Sequence, residues 1–95
     1  MKIVWTAPAL RDLEAIGDYI ARDNRAAAAD TVTNIVESVD KLATFPQAGR
    51  AGRVPGTREL DVSNTPFIAP YRVRGKRVEI LAVFHGARRW PEKLD

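Results

Sequence analysis

Apolar residues recur along this chain with two different periods, and the change of period divides it. Lys2-Ile3-Val4-Trp5 reads as a short first strand. Leu10, Leu13, Ile16 and Ile20 then follow at helical spacing, with Arg11, Asp12, Glu14 and Asp18 on the other faces. Thr6 is placed to cap this helix, and Pro8 is tolerated in its first turn. Asp18 and Arg22 lie four apart in the favourable order. Asp23-Asn24 breaks the pattern and offers a second cap. Ala28, Val32, Ile35, Val36, Val39, Leu42 and Ala43 then form one stripe, a core-facing helix that Pro46 ends after Phe45. The short break between the two predicts an antiparallel helix hairpin.

Residues 46–57 hold Pro46, Gly49, Gly52, Pro55 and Gly56 and read as a loop. From there the period is two. Arg58–Val62, Phe67–Val73 and Val78–His85 read as strands, separated by turns at Ser63–Pro66 and Gly75-Lys76. Residues 86–95 have no period. The predicted order is β-α-α-β-β-β. This is a single α+β domain over residues 1–95, its helix hairpin packed on one face of an antiparallel sheet. A two-residue turn at Gly75-Lys76 fixes the last register, with paired residue numbers summing to 151. Phe67–Phe84, Ala69–Ala82, Tyr71–Ile80 and Val73–Val78 then face the helices, joined by Leu60 and Val62. Ile68–Val83, Pro70–Leu81 and the ion pair Arg72–Glu79 face away, with Glu59 and Asp61. Two helices cover only one face. The cluster Ile68, Pro70, Leu81 and Val83 is therefore read as a protein-binding patch, or else as a face covered by Trp90 or Leu94 of the tail. Pro70 has no N–H to give a central ladder and implies either an edge position or a bulge.

Composition narrows the classes. Apolar residues at 45% and charged residues at 28% fit a globular chain. Ninety-five residues hold one modest core, so a permanent partner would add needed stability. No run is long enough to span a bilayer, and residues 1–6 turn polar too soon for a signal peptide. Without cysteine, and with His85 as the sole histidine, neither a disulfide framework nor a Cys/His metal site is expected. The expected location is the cytoplasm. Charge is uneven: residues 1–48 carry seven acids against five Lys/Arg, and residues 49–95 carry ten Lys/Arg against five acids. The basic half suits nucleic acid or an acidic protein segment.

Three stretches together carry a family resemblance. They are Trp5-Thr6…Ala9…Asp12-Leu13…Ile16…Tyr19-Ile20, then Leu42…Phe45-Pro46…Gly49-Arg50, then Thr57–Leu60, Phe67–Val73 and Val78–Pro91. In order and spacing they resemble toxins of the RelE/ParE superfamily over nearly the whole chain. The resemblance implies the toxin of a bacterial type II toxin–antitoxin pair, neutralised by a cognate ParD-like antitoxin whose C-terminal segment folds on the toxin. It implies no cofactor, no metal, no membrane, and contact with DNA only indirectly through the antitoxin. Superfamily members either cleave mRNA on the ribosome, as RelE-like toxins do, or poison DNA gyrase without catalysis, as ParE-like toxins do.

Cleaving RNA requires a base for the 2′-hydroxyl, an acid for the leaving oxygen and cations for the phosphate. His85, Tyr71, Arg58, Arg72, Arg88 and Arg89 are the candidates. Tyr71 faces the core in the derived register, and Arg72 is paired with Glu79. The position where RelE-like nucleases often carry arginine is matched here by Ile68. The pattern Arg72-Val73…Val78-Glu79-Ile80…His85 looks ParE-like. The reading is thus a non-catalytic gyrase inhibitor with no catalytic residues, the RelE-like ribonuclease being the alternative. Ile68, Pro70, Leu81 and Val83 are expected to bind the antitoxin, and Arg58, His85, Arg88, Arg89 and Trp90 the target.

Overall fold

Residues 1–87 are described by a computed structural model. The chain runs β1 (Lys2–Trp5), α1 (Ala7–Ala21), α2 (Arg25–Asp40), a 3-10 turn (Lys41–Ala43), β2 (Arg50–Ala51), β3 (Arg58–Asp61), β4 (Phe67–Arg74), β5 (Arg77–Ile80) and β6 (Phe84–His85). Local chemistry sets both helix starts. The Thr6 hydroxyl accepts from the Ala9 N–H at 3.4 Å and donates to the Ile80 carbonyl at 2.6 Å, so one side chain caps α1 and ties it to β5. The Asn24 side chain accepts from the Ala27 N–H at 2.9 Å and starts α2. Ala28, Ile35, Val39 and Leu42 of the predicted stripe are buried. Ile35, Val39 and Leu42 share one core cluster with Tyr71, Val78, Ile80 and Ala69 from the sheet and with Val62 just past β3, while Ile3, Trp5, Leu13 and Ile16 pack at the margin.

The sheet has the order β1-β5-β4-β3-β2. It is mixed rather than antiparallel, because β1 lies parallel to β5 with Ile3 beside Val78 and Trp5 beside Ile80. The helix hairpin carries the chain back across the sheet, so β1 enters at the edge in the direction of β5. A second addition is β2, two residues of the expected loop that pair with β3.

The hairpin register is as derived from Arg74↔Arg77 through Tyr71↔Ile80, around Gly75 with φ of 59°. The Leu81 N–H still donates to the Pro70 carbonyl at 2.9 Å. One step later the register slips: Ile68 pairs with Phe84 and Phe67 with His85. Ala82 and Val83 together oppose Ala69, which amounts to a bulge. Pro70 brings no N–H to this stretch of ladder, and the Val83 N–H turns instead to the Asp12 carboxylate on α1 at 2.9 Å. Every residue past the slip changes face. Val83 joins the core cluster, where the outer face was expected, and Phe84 leaves the helix side for the outer side beside Ile68.

Tyr71 holds the loop that precedes β2. Its hydroxyl donates to the Pro46 carbonyl at 2.8 Å and accepts from the Gly49 N–H at 2.9 Å. A Cβ at Gly49 would stand 2.7 Å from the Tyr71 ring, so only glycine lets the backbone approach this closely. Burial raises the phenol pKa above its ordinary value, against the lowering effects of the Gly49 N–H and Arg58. Tyr71→Phe leaves the Gly49 amide and the Pro46 carbonyl without this partner. It should cost about 1–3 kcal/mol in urea unfolding, with the melting temperature falling by roughly 4–8 °C per kcal/mol.

Across β4 and β5 the predicted ion pair is present, with Arg72 Nε donating to Glu79 at 2.7 Å. This bond holds the Glu79 carboxyl below its ordinary value of 4.5, outweighing the opposite effect of burial, and the charges of Arg74, Arg72 and Arg77 add to it. A depressed folded-state pKa contributes stability that is full above the unfolded value and fades as pH falls through the folded one. Glu79→Gln should therefore flatten the acid limb of the stability curve below about pH 4.5. Chemical denaturation across pH reads this directly.

Candidate functional site

The bulge opens a groove. Because β1 pairs only as far as Trp5↔Ile80, β6 has β4 on one side and no strand on the other among the described residues. Helix α1 borders the space left there. Asp12, Ala15, Ile16, Tyr19 and Ile20, at spacings of three and four, supply one wall. Phe67, Val83, Phe84 and His85 supply the other, around a volume of about 490 Å³. The lining is mostly apolar, and Tyr19 is 70% exposed at the rim. Asp12 is engaged by the Val83 amide, so its carboxylate braces the wall.

His85 stands in this groove, on the helix side rather than on the face away from the helices. Its ring meets Phe67 edge-on with centroids 5.9 Å apart, and Nδ1 accepts from the Ala87 N–H at 3.1 Å. Arg58 lies opposite Tyr71, half-buried. Its guanidinium donates to the Gly49 carbonyl at 2.8 Å and the Gln47 carbonyl at 3.4 Å. Arg58 and Tyr71 thus secure the same loop from adjacent strands. The remaining target candidates, Arg88, Arg89 and Trp90, lie outside the described residues.

The expected antitoxin patch is not an open surface. Ile68, Pro70, Leu81 and Val83 are all buried. Ile68 lies beneath Gly86, whose N–H donates to the Pro66 carbonyl at 2.8 Å. Only Val83 reaches the groove, and it does so from the core side. The alternative cover, Trp90 or Leu94, also lies outside the described residues. Tyr19, Ile20 and Phe67 are groove residues that the sequence reading did not single out as a site. Their signal was present in Tyr19, an aromatic off the core stripe, and in a first strand too short to reach the end of the last.

The rest of the outer face is charged. Near β2, Arg50 pairs with Asp61 and with Glu59 at 3.0 Å, while Arg53 lies 3.6 Å from Glu59 and donates its backbone N–H to it at 3.0 Å. The Glu59 side chain is only 2% exposed, so these partners offset the cost of burying its charge. Among the described residues, no group of three or more His, Asp or Glu side chains could hold a metal ion, and no helix is long and apolar enough to cross a membrane.

Comparison with known proteins places this architecture. Residues 3–90 match the family model described as the ParE toxin of the type II toxin–antitoxin system parDE. A protein of Sinorhizobium fredii named "Putative toxin Y4kP" is 47% identical over 93 residues, covering 98% of this chain and 96% of that one. Toxin RelE2 of Caulobacter vibrioides is 37% identical over 87 residues, covering 92% of this chain and 97% of its own. A solved structure titled as the chromosomal ParDE toxin–antitoxin system of P. aeruginosa is similar with a TM-score of 0.80 at 40% identity, over 90% of this chain and 95% of that one. The helix hairpin on a mixed sheet, the family match and these full-length similarities agree: this chain belongs to the ParE family of type II toxin–antitoxin toxins.

Proposed function

We propose that this toxin acts in the cytoplasm by inhibiting DNA gyrase without a catalytic reaction of its own, and that a ParD-like antitoxin neutralises it by occupying the groove between α1 and β6. The observation that carries the non-catalytic reading is where the nuclease candidates are spent. The Tyr71 hydroxyl bridges Pro46 and Gly49, Arg58 holds loop carbonyls, and Arg72 is bonded to Glu79. His85 is exposed, but its neighbours in the groove are aliphatic and aromatic side chains and the Asp12 carboxylate that Val83 occupies. Among the described residues, the groove lining holds no cation for a developing phosphorane charge. The name of the Caulobacter relative, RelE2, favours the second reading, a RelE-like mRNA endoribonuclease.

The antitoxin reading draws on the similar ParDE structure, whose title pairs a toxin with its antitoxin. The groove offers an apolar floor and a protruding tyrosine between α1 and β6, which together suit an amphipathic segment laid between helix and strand. Ile68, Pro70 and Leu81 are buried and drop out of this interface, while Val83 stays in it. Arg88, Arg89 and Trp90 remain the proposed contact with gyrase, two guanidiniums beside an indole suiting an acidic protein surface.

Purified toxin should block gyrase supercoiling while ribosome-bound mRNA stays intact, and His85→Ala should change neither result. Ribosome-dependent cleavage that vanishes in His85→Ala would promote the nuclease instead. Truncation after Gly86 should abolish supercoiling inhibition and leave antitoxin affinity within a few-fold. A folded truncation that remains fully inhibitory would put the gyrase contact elsewhere. Tyr19→Asp places a charge at an exposed rim position and should spare the fold. It should weaken antitoxin binding by about 10–100-fold, or roughly 1.4–2.8 kcal/mol, in titration calorimetry.

A further inference from the structure

The tip of the β4–β5 hairpin breaks a rule that the rest of the sheet obeys. Arg74 stands directly opposite Arg77, a like-charge cross-strand pair that costs stability. Lys2 lies beside Arg77 on the neighbouring strand, and Arg72 is two residues from Arg74, so four cations share one face. Among the described residues one carboxylate, Glu79, stands with them. It accepts a hydrogen bond from Arg72 only, and Arg74 and Arg77 approach it no closer than 3.8 and 3.9 Å. Their side chains are more than half exposed. The other charged cluster on this face is balanced, with Arg50 and Arg53 against Glu59 and Asp61. Cationic charge in excess of carboxylates among the described residues of the hairpin is a local conflict of the kind that function retains.

We propose that this hairpin face, built from Lys2, Arg72, Arg74 and Arg77, docks on the phosphate backbone of duplex DNA without reading its sequence. Charge complementarity names an anion, and guanidiniums with free donor edges suit phosphate oxygens. The surroundings decide among anions. The apolar residues of this face, Ile68, Pro70 and Leu81, are buried, and among the described residues no large exposed apolar side chain shares it with the arginines, since Val73, opposite the core residue Val78, lies on the other face. An interface with a folded protein would need such an apolar centre. Among the described residues no aromatic ring stands there to stack unpaired bases, which argues against a single strand. The choice of DNA over RNA rests on the gyrase reading, since that target holds duplex DNA. The inference departs from the expectation that DNA is met only through the antitoxin.

The test is fluorescence anisotropy of the full toxin with a short mixed-sequence DNA duplex across a salt series. The comparison is Arg74→Gln/Arg77→Gln, which keeps Arg72 on Glu79, against a control, Arg11→Gln/Arg25→Gln, with the same loss of net charge on the helices. Circular dichroism verifies that all three proteins fold. The hairpin variant should bind at least ten-fold more weakly, its log K against log salt slope shallower by about 2, while the control shifts by less than three-fold. Equal weakening in both variants would overturn the proposal, leaving net charge alone as the cause. Tighter binding to an RNA duplex of the same length, or displacement of DNA by a polyglutamate peptide at lower charge concentration, would overturn the choice of DNA. Gyrase supercoiling is assayed separately: duplex binding as expected with no supercoiling inhibition would fail the gyrase reading and not this one.

Discussion

Much of this molecule follows from the missing N–H of Pro70. A proline inside a six-stranded sheet interrupts the ladder on one side, and the neighbouring strand must insert an extra residue to regain its pairing. The slip between Leu81 and Phe84 is that residue. It frees the Val83 amide, and a free buried amide is costly unless an acceptor reaches it. Asp12 reaches it from α1. The same contact fixes the distance between α1 and the end of the last strand, and so the width of the groove. One proline, one carboxylate and one displaced register define both the wall and the floor of the proposed antitoxin site.

The legible parts of the fold are those governed by neighbours in sequence. Thr6 and Asn24 could be read as caps because capping is decided within one turn. The α2 stripe and the Gly75-Lys76 turn were equally local, and the Arg72–Glu79 pair followed from that turn. What sequence hid depends on distant partners. Nothing in Lys2–Trp5 states that its neighbour is β5 or that it runs parallel. Pro70 announced a bulge or an edge, but choosing the bulge required Asp12, 71 residues from the amide it satisfies. Period-two reasoning cannot absorb an inserted residue, because a slip of one reverses every face beyond it. Val83, Phe84 and His85 were all misplaced for that single reason, and the candidate site moved with them. Arg58 was hidden differently: it carries charge at a strand start, and only the Tyr71 loop shows where its donors go.

The buried outer face also changes the meaning of its charges. With Ile68, Pro70 and Leu81 closed off, the accessible part of that face is ionic. Glu59 shows what compensated charge looks like here: a buried carboxylate met by two arginines and a backbone N–H. Glu79 is the inverse, a single carboxylate among too many cations, held ionised by the Arg72 bond. It keeps Arg72 oriented while neutralising only part of the cluster.

The two surfaces lie at opposite ends of β4 and on opposite sides of the sheet. Phe67 belongs to the groove and Arg74 to the cationic tip, seven residues or about 23 Å apart. A segment in the groove would therefore leave the hairpin face accessible. At physiological ionic strength the screening length is about 8 Å, so an acidic antitoxin in the groove would only weakly offset the charge at the tip. Neutralisation by such an antitoxin would have to act through the groove and what adjoins it, not by quenching the arginines. The apolar and the cationic recognition surfaces are energetically separable, and the chain keeps them so by placing the bulge at one end of its longest strand and the like-charge pair at the other.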